Sequence, residues 1–250
     1  NYAACALATT LPFFYATFCK NKIFNYRKVI NAIIIFLIVL GIFFTSSRNG
    51  LISLFLGTFI FFIPLRLRLF SFSFISIASF FLFNSIINYL FNFALIPINL
   101  SNRISFQEFT NDPRLMIWKN SITYISQKPI FGWGGNSFSS IWNKENSSYF
   151  GHSHSLPFEI SIQYGIITSV LLSLLVVYIL VRSFRFTFLK SNFKLISFKK
   201  DNFFDRGWLS ACIVILFSNL IDILYFDIRI SLLTWILLAG LRNISKERYD

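Results

Sequence analysis

Long apolar runs alternate with short clusters of basic residues along most of the chain. A helix needs about 20 apolar residues to cross the hydrocarbon core of a membrane. The pattern predicts membrane helices over 1–18, 29–45, 51–65, 69–88, 160–181, 207–225 and 230–241. We therefore expect an all-α fold, a polytopic transmembrane helical bundle of about seven spans.

The basic clusters predict the orientation of this bundle. Cytoplasmic loops of membrane proteins carry an excess of lysine and arginine. Three basic segments alternate along the chain as one shared cytoplasmic side requires: 20–28, 66–68 and 182–206. The remaining polar segments are expected on the outer side: 46–50, 89–159 and 226–229. The segment 89–159 is long enough to form one large extracytoplasmic loop with short amphipathic helices.

Composition agrees with a membrane protein and argues against a nucleic-acid partner. Hydrophobic residues make up 55% of the chain and charged residues 13%, whereas a soluble domain carries about a quarter charged residues. The net charge of +13 comes from lysines and arginines at the ends of apolar runs, where such residues determine topology. We expect the lipid bilayer, and no nucleic acid, as a partner. Because the chain begins inside an apolar run, we treat 1–250 as a single membrane domain, a fragment of a longer protein.

Two arginines lie in segments expected on the outer side. Arg48 lies in SSRNG between two apolar runs, where it either reaches lipid headgroups or provides a fixed cation beside an anionic substrate. Arg114 falls in the first turn of a predicted amphipathic helix, with Asp112 as its N-cap and Pro113 at its first position. An arginine suits a helix N-terminus poorly unless an anion binds there, since guanidinium and free N–H groups both favour phosphate.

Both histidines, His152 and His154, lie in the sequence HSHS before the run 160–181. Ser155 is expected to cap the following helix, with Pro157 in its first turn. Positive charge from nearby arginines favours a neutral imidazole, so His154 can act as a general base with His152 as a supporting group. Two ordinary histidines at a membrane edge are the alternative. No metal site is expected, because it would need distant carboxylates.

In combination, these residues resemble the O-antigen ligase and polymerase superfamily of bacterial membrane glycosyltransferases. SSRNGLISL is similar to the family's Arg-x-x-x-Leu element, with Ile52 where leucine is usual. DPRLMIWKNSITYISQKPIFGWGGNSF resembles a loop consensus of Arg, a following Trp, and Pro-x-x-Gly-x-Gly. This similarity marks Trp118, Gly132 and Gly134 as candidate substrate-binding residues.

The histidine segment completes the resemblance. His154 and Ser155, nine residues and then Gly165 are similar to the family pattern of His, Asn or Ser, nine residues and Gly. Ser155 replaces the commoner asparagine, a departure that affects a side-chain amide and not the histidine. The resemblance covers residues 25–185 and depends on the order and topological side of its pieces.

The resemblance implies transfer of a glycan from undecaprenyl diphosphate, a polyprenyl carrier, at the outer face of the bacterial inner membrane. Arg48 and Arg114 would bind and neutralise the diphosphate, and His154 would take a proton from the acceptor hydroxyl. The acceptor is a lipid A-core sugar in a ligase or another glycan in a polymerase, and the sequence leaves both open. Transfer is expected to be inverting, metal-independent and without a cofactor, as in enzymes similar to class C glycosyltransferases. The candidate substrate-binding residues are His152, Trp118, Gly132, Gly134 and Glu159.

Two other classes of function remain open at this point. A solute transporter, such as one for inorganic carbon, would need ionisable groups near the middle of the membrane. Asp222 is the candidate for that role, although it is expected near the outer end of its span. A receptor or scaffold would use the outer loop to bind a partner, and Arg48 and His154 would then be dispensable.

Overall fold

The computed structural model describes residues 1–20, 25–62, 112–146, 149–189 and 203–246. These residues form α-helices with no strand among them. The helices are α1 (Tyr2–Lys20), α2 (Tyr26–Phe44), α3 (Arg48–Phe62), α4 (Pro113–Gln127), α5 (Ser137–Glu145), α6 (Leu156–Tyr164), α7 (Ile166–Phe184), α8 (Phe203–Ile221) and α9 (Ile228–Lys246). A π-helical turn, Arg185–Leu189, continues α7. The predicted span 69–88, the basic segment 66–68 and residues 89–111 lie outside the described residues.

Four of the described helices are long and apolar enough to cross a membrane: α1, α2, α8, and α7 extended to Phe188. Helix α3 is apolar but has 15 residues, a length of about 22 Å at 1.5 Å per residue. That length falls short of a hydrocarbon core of about 30 Å. The all-helical, multi-pass membrane character is therefore confirmed, whereas the number of about seven spans and the large outer loop stay predictions.

The apolar run 160–181 is not one uninterrupted span, contrary to the sequence prediction. Gly165 separates α6 from α7 and has φ +86°, a conformation that L-residues with a side chain rarely adopt. A Cβ placed on Gly165 would lie 1.8 Å from the carbonyl oxygen of Ile130, and the N–H of Ile166 donates to the carbonyl of Pro129 at 2.8 Å. Close approach of the 129–131 backbone therefore breaks the run, and the candidate span begins at Ile166.

The turn expected over 46–50 is also shorter in the structure. Helix α2 ends at Phe44 and α3 begins at Arg48. The hydroxyl of Ser47 accepts a hydrogen bond from the N–H of Gly50 at 3.1 Å, which satisfies one of the free donors in the first turn. Arg48 is thus the first residue of a helix and not the middle of a loop.

Helix α8 lies at the centre of the described membrane part, packed against α1, α3 and α9. Of its apolar window, 56% is buried, against 11% for α7. Small residues allow the close approach: the hydroxyl of Ser210 donates to the carbonyl of Gly57 at 2.6 Å, and Ser53 contacts Ser218 at 3.0 Å. Such small-residue contacts are typical of helix packing in membranes. They hold the end of α8 beside the start of α3.

Helices α4, α5 and α6 form a second, smaller core at the same end of the bundle. Its buried members are Ile117, Tyr124, Phe138, Trp142 and Ile162. The indole N–H of Trp133 donates to the carbonyl of Tyr124 at 2.9 Å and fixes the loop after α4 against that helix. This core gives the described part of the predicted outer segment a defined shape, so that it can hold side chains in place.

Candidate active site

Residues far apart in the sequence meet where α3, α4 and α8 begin or end. Asp222, just after α8, places Oδ1 3.0 Å from Nδ1 of His154 and Oδ2 3.5 Å from Nη2 of Arg114. The side-chain amide of Asn1 also donates to Oδ2. One carboxylate thus joins the proposed base and one of the two proposed cations. The structure brings together the histidine and the arginine that the sequence singled out.

Arg48 joins the same cluster through Asp112. Nη2 of Arg48 donates to Oδ2 of Asp112 at 2.6 Å, and Oδ1 of Asp112 accepts the backbone N–H of Arg114 at 3.0 Å. The second bond confirms Asp112 as the N-cap of α4. Nη1 of Arg48 is buried and has no hydrogen-bond partner in the part of the chain that the structure describes. A buried donor without a partner is costly, and an anion would satisfy it.

Arg114 stands in the first turn of α4, where the helix dipole opposes a positive charge. The structure supplies the anions that this position needs, since the carboxylate of Asp112 accepts the backbone N–H of Arg114 and that of Asp222 contacts its guanidinium. A guanidinium carries five N–H donors. Asp222 uses one of the Arg114 donors, and the side chain is 20% exposed, so among the described residues further donors remain for a substrate.

The histidine loop has an unusual backbone conformation. His154 has φ +53°, in the left-handed region that is rare for residues other than glycine. Its ring packs edge-on against that of His152, with centroids 4.3 Å apart. The N–H of His154 donates to Nδ1 of His152 at 3.4 Å, and Phe150 and Phe226 flank the pair. The two histidines therefore occupy different environments, and within the described part of the chain His154 is the one hydrogen-bonded to a carboxylate.

Electrostatics favour a neutral His152 and an ionised Asp222. Burial, and then the charge of His154, hold the pKa of His152 below its usual value. Burial works to raise the pKa of Asp222, but the hydrogen bond from His154 and the charge of Arg114 outweigh it, so that this pKa lies below its usual range. An ionised Asp222 accepts a hydrogen bond from Nδ1–H of His154, so that in the neutral ring the lone pair of Nε2 is free to accept a proton.

Glu159 lies behind the histidine loop. It is 3% exposed, Oε2 accepts the backbone N–H of Ser153 at 2.9 Å, and Oε1 accepts the amide of Gln163 at 2.7 Å. Ser155 occupies the N-cap position of α6, but its side chain makes no capping hydrogen bond. The carboxylate thus reaches the backbone of the loop, and its predicted role in binding substrate stays a prediction.

The two glycines of the Pro-x-x-Gly-x-Gly element contact the end of α6. A Cβ on Gly132 would lie 2.6 Å from the backbone of Gln163, and the N–H of Gly134 donates to the carbonyl of Gln163 at 3.0 Å. Close packing against the backbone of α6 therefore explains why a glycine stands at position 132, and no bound ligand is needed to explain it. Trp118 packs against Phe158, with ring centroids 6.4 Å apart. Substrate binding by these three residues stays a prediction.

Sequence reasoning assigned Asp222 to the transporter alternative and Asp112 to a helix cap, and it placed neither in the active site. Asp222 is 68 residues from His154 and 108 from Arg114, so no local motif links them. The sequence carried one relevant indication, which was the predicted topology of the helix ends. The ends of α2 and α8 and the start of α4 were all expected on the outer side, which makes charged residues there possible neighbours.

Three side chains of the cluster also lie close enough together to act as ligands of one cation. His152, His154 and Asp222 each offer one ligand atom, and these atoms lie within 4.8 Å of one another. Asp222 is the distant carboxylate that the sequence reasoning required for a metal site. Arg114 brings a positive charge to the same carboxylate, which disfavours a divalent ion there.

An apolar cavity of about 390 Å³ lies beside the cluster, lined by α6, α7, α8, α9 and the residues between the last two. Its wall includes Leu156, Leu172, Phe226 and Trp235. Phe226 also packs against His152, with ring centroids 6.0 Å apart. The charged cluster and an apolar space thus share a wall.

Comparison with known proteins connects this geometry to a family. No curated protein matches the chain significantly. The family model described as O-antigen ligase matches residues 33–173, a range that contains Arg48, Arg114 and His154. That range is more than half of the 250 residues, and the chain therefore belongs to the O-antigen ligase family.

Proposed function

We propose that this membrane protein transfers a glycan from a polyprenyl diphosphate, undecaprenyl diphosphate, to an acceptor hydroxyl at the outer face of the bacterial inner membrane. Its family indicates an O-antigen ligase-like function and a glycosyltransferase-type enzyme. The observation that carries the proposal is the carboxylate of Asp222, which contacts both His154 and Arg114. A base and a cation side by side are what this reaction needs.

In the proposed reaction, Nε2 of His154 takes the proton of the acceptor hydroxyl. The hydroxyl oxygen then attacks the anomeric carbon, and the bond from that carbon to the diphosphate oxygen breaks. The diphosphate leaves with the bonding electron pair, and attack from the opposite face inverts the anomeric centre. Asp222 keeps the proton on Nδ1 and stabilises the imidazolium that forms. No metal enters this scheme, in keeping with the sequence expectation.

Arg48 and Arg114 stabilise the leaving diphosphate in this scheme. The diphosphate gains negative charge as the bond breaks, so fixed cations beside it lower the barrier. Asp112 and Asp222 hold the two guanidiniums in place, and a planar guanidinium suits bidentate contact with phosphate oxygens. Nη1 of Arg48 is buried and has no partner among the described residues, so it is one donor that a phosphate oxygen would satisfy.

An apolar cavity beside the cluster suits the lipid part of the proposed substrate. The apolar cavity beside Phe226 has a volume of about 390 Å³, enough for part of an isoprenoid or acyl chain, since ligand cavities of roughly 300–1,000 Å³ hold whole small molecules. A chain in this cavity would bring its polar end towards His152 and His154. Trp118 and Gly134 are proposed to support substrate binding from the outer segment.

Alanine substitution of each proposed residue tests the assignment. Arg48→Ala, Arg114→Ala and His154→Ala are each expected to abolish surface polysaccharide while the amount of protein stays normal. The measurement is the polysaccharide gel pattern of a deletion strain carrying each variant. Lys119→Ala is the matched control, because Lys119 is an exposed cation on the same helix as Arg114. Normal polysaccharide in the His154→Ala strain would contradict its role as the base.

The same gel separates the two acceptor classes. Loss of all long chains with accumulation of the lipid-linked donor in the deletion strain indicates a ligase with a lipid A-core acceptor. A core carrying one repeat unit indicates a polymerase with a glycan acceptor. The family match does not support the transporter alternative, and Asp222 lies in a cluster with His154 and Arg114, outside the helical span of α8.

A further inference from the structure

We propose that the buried Glu159–Gln163 pair is a positioning device for the histidine loop. In this proposal, Glu159 fixes the peptide N–H of Ser153 and so directs His154 towards Asp222. The inference rests on the proposed role of His154 as the base. It assigns Glu159 a task different from direct contact with substrate.

Both oxygens of Glu159 are committed inside the protein. Oε2 accepts from the N–H of Ser153 at 2.9 Å and Oε1 from the amide of Gln163 at 2.7 Å. Glu159 is 3% exposed and Ser153 is fully buried. A buried carboxylate is unfavourable unless strong hydrogen bonds and nearby positive potential compensate. Glu159 stands in the first turn of α6, where the helix dipole provides that potential.

The peptide held by Glu159 lies directly before the base. His154 adopts φ +53°, a conformation that is uncommon for a residue with a Cβ and that neighbouring contacts help to hold. Two hydrogen bonds fix the preceding residue: the N–H of Ser153 to Glu159, and the hydroxyl of Ser153 to the carbonyl of Ser155 at 3.1 Å. With the chain fixed on both sides, the ring of His154 lies 3.0 Å from Asp222.

Gln163 connects this device to a rigid support. The carbonyl of Gln163 accepts the N–H of Gly134 at 3.0 Å, and the carbonyl of Ile162 accepts the N–H of Trp133 at 2.7 Å. Gly132 packs directly on the backbone of Gln163. The loop 132–134 therefore holds the C-terminal end of α6 in place. The side chain of Gln163 extends from that end and donates a hydrogen bond to Glu159.

Exchange of the two side chains tests the proposal. In Glu159→Gln alone, the new amide keeps one oxygen to accept from Ser153 and turns its NH₂ group to Gln163, whose own amide must rotate to accept from it. Both hydrogen bonds then lose the charge of the carboxylate. We expect kcat to fall about tenfold or more, the effect of losing one charge-assisted hydrogen bond, while KM for the donor stays within about twofold. The double variant Glu159→Gln/Gln163→Glu restores one carboxylate and one amide, and it is expected to recover most of kcat.

The assay uses the purified full-length protein in phospholipid vesicles, with lipid extract from the deletion strain as the source of donor and acceptor. Ser161→Ala is the matched control, because Ser161 is a buried residue of the same helix whose hydroxyl donates within α6, to the carbonyl of Pro157. Its kcat is expected to stay near that of the wild type. Thermal unfolding of each variant is measured in parallel.

Each outcome has one meaning. A folded Glu159→Gln variant with wild-type kcat overturns the inference, as does a fall in kcat that the exchange fails to restore in a folded protein. If Glu159→Gln is too unstable to assay, the exchange variant decides, and its recovered kcat supports the device. His154→Ala is assayed beside them. If it retains transfer, the proposed role of His154 as the base fails, whereas an inactive His154→Ala with a normal Glu159→Gln overturns only this inference.

Discussion

Replacing Asp222 with asparagine removes the negative charge that contacts both His154 and Arg114, and it hardly changes the size of the side chain. Oδ1 of Asp222 accepts from Nδ1 of His154 at 3.0 Å, and Oδ2 lies 3.5 Å from Nη2 of Arg114. An asparagine has one acceptor oxygen and one NH₂ group. If the oxygen faces His154, the NH₂ group faces a guanidinium that only donates. If the NH₂ group faces His154, Nδ1 must lose its proton and Nε2 can no longer act as the base.

The size of the effect follows from these two contacts. A hydrogen bond to a charged group contributes about 1.5–3 kcal/mol, and the longer contact with Arg114 contributes less. If only the contact with His154 is lost in the transition state, the rate falls about 10- to 150-fold at 1.4 kcal/mol for each tenfold change. Selection of the wrong histidine tautomer would reduce the rate further. We therefore expect kcat of Asp222→Asn to be reduced at least about tenfold.

The assay measures initial rates of glycan transfer by purified protein in vesicles, with thermal unfolding to check the fold. Asp227→Asn is the matched control, because Asp227 lies in the same connection between α8 and α9 and pairs with the exposed Arg229 at 2.7 Å. The Arg229 side chain is 85% exposed, and a pair with so exposed a partner contributes little. A folded Asp222→Asn variant with kcat within about twofold of the wild type would refute the reasoning that Asp222 orients the base.

Two further predictions concern stability, each measured by thermal unfolding in detergent. Gly165→Ala places a Cβ 1.8 Å from the carbonyl of Ile130 at φ +86°, so we expect the free energy of unfolding to fall by at least about 2 kcal/mol. Gly151→Ala is the control, because a Cβ there meets open space. Equal losses in the two variants would contradict this account. Burial is the main reason why the pKa of His152 is lowered, so protonation of His152 favours the unfolded state. The contribution of His152 to stability is therefore complete above about pH 6.5 and decreases as the pH falls through the folded-state pKa. His152→Gln should therefore flatten the decline of the melting temperature below about pH 6.5, and an unchanged decline would exclude His152 as its cause.

Much of the architecture follows from local sequence because its causes are local. Apolar runs of membrane length predict helices, since a backbone in hydrocarbon must satisfy its own hydrogen bonds. The Asp112–Pro113 pair marked the start of α4, and the structure confirms the cap. The charge pattern predicted that Arg48, Arg114 and His154 lie on one side of the membrane, and the structure gathers them at one end of the bundle.

The tertiary structure decided the contacts that the chemistry depends on. Gly165 ends α6 because the backbone at Ile130 approaches it from another part of the chain, and hydropathy carries no record of that approach. Asp222 becomes the partner of His154 only because α8 packs beside α1 and α3 and ends next to the histidine loop. By itself, the sequence determined the class of fold, the family resemblance and the histidine and arginines of interest. Which carboxylate each of them contacts was decided by helix packing, since partners 64 to 108 residues apart share no periodicity.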